Sequence, residues 1–153
     1  MSVFPTPDES KLILYARYHF MVHDIAGDSL LYHYAFGPGA GYLAITPNGR
    51  YAFFTNPSTP IEEQGATYDT VFDIEANNVV GNMETDQFLD TLVRLYFGVG
   101  PMVVTPDNRW LVAHNGPFPS QLLLFDLEKM EMVDFHHYGD NHCFTGLTVQ
   151  QWR

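Results

Sequence analysis

Thr46-Pro47-Asn48-Gly49-Arg50-Tyr51-Ala52-Phe53-Phe54 joins a turn-forming tetrapeptide to a run of apolar, mostly aromatic residues. Pro suits the φ-restricted second position of a turn, Asn and Gly tolerate positive φ, and the apolar run that follows has the composition of a strand. The same order recurs as Thr6-Pro7-Asp8 before Lys11-Leu12-Ile13-Leu14-Tyr15, and as Thr105-Pro106-Asp107-Asn108-Arg109-Trp110-Leu111-Val112-Ala113. Three copies of one strand–turn–strand unit indicate a repeat architecture, and every other element has to be placed relative to them.

A second repeated element follows each copy. Val22-His23-Asp24, Val71-Phe72-Asp73 and Leu124-Phe125-Asp126 each end an apolar run. At an identical step beyond the Asp comes an apolar pair, Leu30-Leu31, Val79-Val80 and Met132-Val133. The whole unit is therefore four strands: one before Thr-Pro, one after the basic residue, one ending at Asp and one after the next turn. Antiparallel four-stranded units at a period of roughly 40–60 residues are the mark of propeller blades. The expected fold is all-β: a partial β-propeller of about three blades, the first strand of a fourth, and one short inserted helix. As a single propeller-type domain, blade 1 covers about 1–36, blade 2 about 40–98, blade 3 about 99–137 and the start of blade 4 about 143–153.

The units differ in length. The step from Asp73 to Thr105 exceeds that from Asp24 to Thr46 by about ten residues. In that surplus Phe88, Leu92 and Tyr96 recur at helical spacing behind Thr85 or Asp86 as N-cap, so a helix is expected over 84–97. The surplus between Thr46 and Asp73 is the Pro/Ser/Thr/Gly/Glu stretch 56–68, read as a loop. In a blade, the loop between the second and third strands and the connection to the next blade leave from the same face. Both insertions should elaborate one face, with Asn56, Tyr68, His114 and Asn115 as its candidate contact residues.

These units resemble the YVTN/lactonase-like (WD40-like) family of β-propellers, whose repeat runs Pro-Asp-Gly-basic-aromatic, then Thr-Asn, then Val-x-Asp. The second unit carries the resemblance best, through Pro47-Asn48-Gly49-Arg50-Tyr51, Phe54-Thr55-Asn56 and Val71-Phe72-Asp73. The third keeps Pro106-Asp107, Arg109-Trp110, Asn115 and Asp126 but has Asn108 at the Gly position; the first has Glu9-Ser10 in the turn and Ala16-Arg17 for Thr-Asn. Similar blades occur in lactonases, in propeller subunits of quinoprotein amine dehydrogenases, in surface-layer proteins and in metal- or haem-bearing reductases. The resemblance implies a propeller and a periplasmic or secreted setting, and leaves the chemistry open.

Repetition separates structural residues from candidate functional ones. Asp24, Asp73 and Asp126 are expected to cap the turns after them, and Lys11, Arg50 and Arg109 to follow the tight turn at the blade rim. His114 breaks the pattern, standing for Thr55 and Ala16 at the end of a second strand. His136-His137 and His142-Cys143 fall in the next inter-blade connection, so His114, His136, His137, His142 and Cys143 form a candidate transition-metal set. Its spacing matches no defined motif, and a solvated His-rich rim is the competing reading. His19 and His23 share one strand face with His33 on the next strand, where a structural role is expected.

Other chemistry finds less support. Glu62, Glu63, Asp69, Glu84, Asp86 and Asp90 offer oxygen ligands for calcium without the spacing of a calcium loop. Ser58 and Ser120 lie in Pro-containing loops with no evident base, and no nucleophile-elbow pattern exists. A net charge of −11 with only 7 Lys and Arg argues against a general nucleic-acid binder. No apolar run of about 18 residues exists to span a membrane, and no signal peptide opens the chain.

About 3.25 units fall short of the roughly four to eight blades of closed propellers. Further blades are expected from the rest of a longer chain or from self-association, the former being preferred. Two functions stand side by side. One is a binding or scaffold module that docks a protein partner or ligand on the elaborated face. The other is part of a propeller enzyme, lactonase-like or quinoprotein-dehydrogenase-like, with a metal or redox site near the His-rich rim.

Overall fold

In a computed structural model, which describes residues 1–16, 19–35, 42–55, 69–83, 99–115 and 121–137, each Thr-Pro tetrapeptide forms a β-turn. The N–H of Glu9, Gly49 and Asn108 donates to the carbonyl of Thr6, Thr46 and Thr105 respectively. Those same three residues have positive φ, at 56°, 74° and 61°. Each Thr hydroxyl accepts the N–H five residues on, from Lys11, Tyr51 and Trp110, at 3.0, 2.9 and 3.0 Å. Asp8, Asn48 and Asp107 accept the N–H two residues on through their side chains.

This geometry corrects the alignment of the first unit. Glu9 takes the place of Gly49 and Asn108, so Ser10 corresponds to Arg50 and Arg109, and Lys11 to Tyr51 and Trp110. By the same count Tyr15, not Ala16, corresponds to Thr55 and His114. The basic residue was matched by charge, whereas the turn counts backbone hydrogen bonds. Lys11 does different work from the two arginines: its Nζ reaches the Ile74 carbonyl and, at 3.1 Å, Asn77 Oδ1 of the second unit. Arg50 and Arg109 instead lie over the rings of Tyr51 and Trp110, at 5.2 and 4.8 Å from the centroids.

The strands form three four-stranded antiparallel sheets, each a simple meander. Sheet 1 holds β1 (Ser2–Pro5), β2 (Lys11–Ala16), β3 (His19–Asp24) and β4 (Ser29–Ala35). Sheet 2 holds β5 (Leu43–Ile45), β6 (Tyr51–Thr55), β7 (Asp69–Asp73) and β8 (Asn78–Met83). Sheet 3 holds β9 (Val99–Val104), β10 (Trp110–Asn115), β11 (Gln121–Asp126) and β12 (Glu131–His137). The expected helix over 84–97, the loop 56–68 and the strand begun near 143–153 lie outside the described residues.

The Asp-ended strands close their hairpins as the repeat requires. The carboxylates of Asp24, Asp73 and Asp126 accept the N–H of Gly27, Ala76 and Glu128 at 2.6, 2.9 and 3.0 Å. Asp28, Asn77 and Met130 end these turns with positive φ. Just beyond, each fourth strand slips by one residue against the third, between Val22/His23, Val71/Phe72 and Leu124/Phe125. The extra residues, Leu31, Val80 and Val133, are exposed. The two turns of each sheet are joined by backbone bonds from Ile25, Ile74 and Leu127 to the carbonyls of Ser10, Arg50 and Arg109.

The sheets stack on their faces in chain order. Ile13, Tyr15, Phe20 and Val22 of sheet 1 pack against Ala52, Phe54, Phe72 and Ile74 of sheet 2. Phe20 stacks on Phe54 with centroids 4.4 Å apart and meets Phe72 edge-on at 4.9 Å. From its opposite face sheet 2 sends Ala44, Phe53 and Val71 against Leu111, Ala113, Leu123 and Phe125 of sheet 3. Sheet 2 is thus covered on both sides, which is why Ala52-Phe53-Phe54 runs apolar without alternation.

The Thr-Pro turns also touch across sheets. Asn48 N–H donates to Asn108 Oδ1 at 2.8 Å, and a Cβ on Gly49 would lie 2.9 Å from Pro7 Cδ. Gly49 is therefore required twice, by its φ and by its neighbour. Gly49→Ala is expected to lower stability by about 2 kcal/mol, read as a fall in urea midpoint at unchanged slope. Met130→Asn should raise stability by about 0.5–1 kcal/mol in the same assay, because Asn relieves a bulky side chain in the left-handed region.

Candidate functional site

The two rims of the stack are built differently. One carries the short Thr-Pro and Asp turns; the other carries every connection between second and third strands and between sheets. At this second rim Thr55, Asp69 and Met83 pair in one row across β6, β7 and β8. The segments 56–68 and 84–98 therefore leave sheet 2 from adjacent positions in a single row. The corresponding row of sheet 3 is His114, Leu122 and His136, and the next row towards this rim is Val99, Asn115, Gln121 and His137. Of the candidate contact residues, His114 stands in the row that corresponds to Thr55 and Asn115 one position beyond it, while Asn56 and Tyr68 lie outside the described residues.

His114 pairs with Leu122, which pairs with His136, so the two histidines share a face of sheet 3 with a leucine between them. At about 4.8 Å per strand their backbones are roughly 10 Å apart. His137 belongs to the neighbouring row with Asn115. Among the described residues no three His, Cys, Asp or Glu side chains converge as a metal site would require. His142 and Cys143 lie outside the described residues, as do Glu62, Glu63, Glu84, Asp86 and Asp90 of the calcium reading.

His114 is buried, at 5% exposure, in the position that Tyr15 fills in sheet 1, where that ring packs 6.2 Å from Phe54. Loss of solvent lowers the His114 imidazole below its usual 6.5. Gln121, in the next row, is fully buried. Its position at the mouth of the elaborated rim escaped the sequence reading, because a lone Gln at a strand start carries no pattern. On sheet 1 the structure joins His19 and His33, whose ring nitrogens are 3.0 Å apart, and sets His23 Nε2 3.5 Å from Asp28. Asp8, bonded by Thr6 and Ser10, has its carboxyl lowered to about 2 and is part of turn structure.

No protein-family model and no curated protein matches the chain. Solved structures do match. Hydrazine synthase from Kuenenia stuttgartiensis is similar over 91% of this chain and 36% of its own, with a TM-score of 0.63 at 17% identity. U3-55K is similar over 88% of this chain and 38% of its own, with a TM-score of 0.62 at 12% identity. The WD40 repeats of RRP9 give a TM-score of 0.62 at 12% identity, over 87% of this chain and 37% of that one. These likenesses establish the fold as WD40-like propeller architecture, and the chain spans little more than a third of the structures it matches. No helix among the described residues is long and apolar enough to cross a membrane.

Burial of neutral His114 sets the sign of a pH effect. The unfolded chain takes up the proton near 6.5 while the folded chain resists it, so stability is full above 6.5 and falls as pH drops below it. His114→Gln should remove this part of the acid limb. Urea midpoints at about pH 7.5 and about pH 5.5 should show a smaller drop in the variant than in the parent.

Proposed function

We propose that this chain is a β-propeller binding module that holds a protein partner on the rim from which 56–68 and 84–98 depart. The observation that carries this reading is the common row Thr55–Asp69–Met83, from which both long connections leave a sheet that is covered on both faces. A rigid, doubly packed blade gives such inserted segments a fixed base, and recognition on repeat scaffolds concentrates on insertions held in this way. The opposite rim offers little room for variation, since its turns are tied to one another by backbone hydrogen bonds. The YVTN/lactonase-like resemblance fits the same reading as a relation of repeats. The similar structures include the WD40 repeats of RRP9, an architecture suited to holding partners.

Photo-crosslinking groups placed in turn at Asn56, at Tyr68 and, on the opposite rim, at Asp107 test the proposal in extract from the source cell. Crosslinks to one partner are expected from the first two sites and not from the third. Shortening 56–68 to a tight turn should weaken capture by about tenfold or more while leaving the thermal midpoint within a few degrees. Equal capture from both rims, or capture indifferent to the shortened loop, would count against this function.

A further inference from the structure

His19 and His33 stand on one side of sheet 1. Side chains alternate along β3, so His19 and Met21 point away from Phe20 and Val22, which pack on sheet 2. His33 pairs with Met21 and therefore shares their side, diagonal to His19 across β3 and β4. The two rings are tilted by 40° with centroids 5.0 Å apart, so their edges meet and not their faces. His33 Nε2 lies 3.0 Å from His19 Nδ1. His19 pairs with Ala16 on one side and Ala35 on the other, small neighbours that leave its ring room within the sheet. His23, the next histidine on this side of β3, is engaged towards the other end of the strand, 3.5 Å from Asp28.

The blade itself does not call for this pair. Counted from the Asp that ends each third strand, the positions of His19 and His33 are Tyr68 and Asn82 in the second unit and Gln121 and Phe135 in the third. Neither sister unit has a histidine at either place. The approach of the two rings is set by register within one hairpin, so it holds whatever lies against the sheet. Two imidazole nitrogens 3.0 Å apart, each about 2.0–2.1 Å from a shared ion, would subtend about 95° there, whereas a tetrahedral ion would set them about 3.3 Å apart. Right-angled nitrogen ligation belongs to tetragonal ions, and among first-row divalent metals copper binds such ligands most tightly.

We propose that His19 Nδ1 and His33 Nε2 chelate a copper(II) ion at adjacent corners of a tetragonal site, with water in the remaining positions. On binding, the proton held between the two rings leaves that gap, and the ring that carried it takes one up from solvent at its other nitrogen. Each neutral imidazole then ligates through a free lone pair, with no net proton released. Two protein ligands are fewer than a closed centre uses, which makes the site exchangeable and not a resident structural metal. His19 opens β3 at the rim that carries the connections between second and third strands, so the ion reaches the pair from the strand ends. The site is separate from the histidines grouped with Cys143, and the binding-module reading stands or falls without it.

Equilibrium dialysis of the full chain against micromolar copper(II) chloride, in a buffer that does not bind metals, tests this. His19→Gln and His33→Asn introduce residue types that the sister units carry at these positions, and each should lose one bound copper per chain relative to the parent. Because the two nitrogens act as a chelate, either substitution alone should weaken this site by about a hundredfold, and the double variant should be no weaker. Copper should also raise the urea midpoint of the parent by more than that of either variant, and midpoints in metal-free buffer report that the variants fold. A second readout needs no substitution at the pair. In a Cys143→Ser background, where no thiol reduces the ion, substoichiometric copper should broaden the ring-proton resonances of His19 and His33 before those of the other histidines. Copper uptake unchanged in either variant overturns the proposal. So does broadening that begins at other histidines, or a paramagnetic resonance spectrum of the one-copper complex without two nitrogen ligands.

Discussion

A four-stranded meander with two apolar faces cannot bury either of them by itself, and this constraint organises the molecule. Its hairpins supply backbone hydrogen bonds, but only a neighbouring sheet removes the apolar surface from water. Sheet 2 meets the requirement on both sides, through Phe54 and Phe72 towards sheet 1 and through Phe53 and Val71 towards sheet 3. Its core strand β6 consequently carries no polar residue from Tyr51 to Phe54. The Thr-Pro turns serve the same end. By fixing where each strand reverses, the Thr hydroxyl and the left-handed fourth residue fix which side chains face which neighbour, and a slip of one residue would reverse them all.

That dependence explains what could be read from the chain. The turn chemistry is local, so Thr-Pro-Asp/Asn and the Asp before each second turn reveal the hairpins, their number and their order. The bond pattern of the first unit was harder, because Glu9 holds a left-handed conformation usually given to Gly or Asn. With that marker missing, Lys11 aligned with the arginines by charge, although its backbone stands with Tyr51 and Trp110. Contacts between sheets were not legible. Lys11 reaching Asn77, or Asn48 reaching Asn108, joins residues far apart in sequence whose types carry no mutual signal.

The candidate site divides along the same line. That both long connections leave from one rim follows from strand order alone, and the row Thr55–Asp69–Met83 shows it in register. Which histidines come together does not follow from order. His19 and His33 meet diagonally across β3 and β4, while His114 and His136, grouped by their place on a rim, are separated by Leu122. Spacing along one strand specifies a face, but distance across strands depends on register, which is set at the far end of the hairpin.

The one-residue slip in each fourth strand has a further consequence for solubility. β4, β8 and β12 are the last strands of their sheets, and a straight last strand presents a ladder of free amides and carbonyls on which another chain can polymerise. The insertion of Leu31, Val80 or Val133 breaks the spacing of that ladder at the same height in every sheet. An incoming strand can pair on one side of the break or the other, not across both. Three exposed aliphatic side chains, which on an even strand would promote fibrillar growth, thus sit where regular pairing is interrupted.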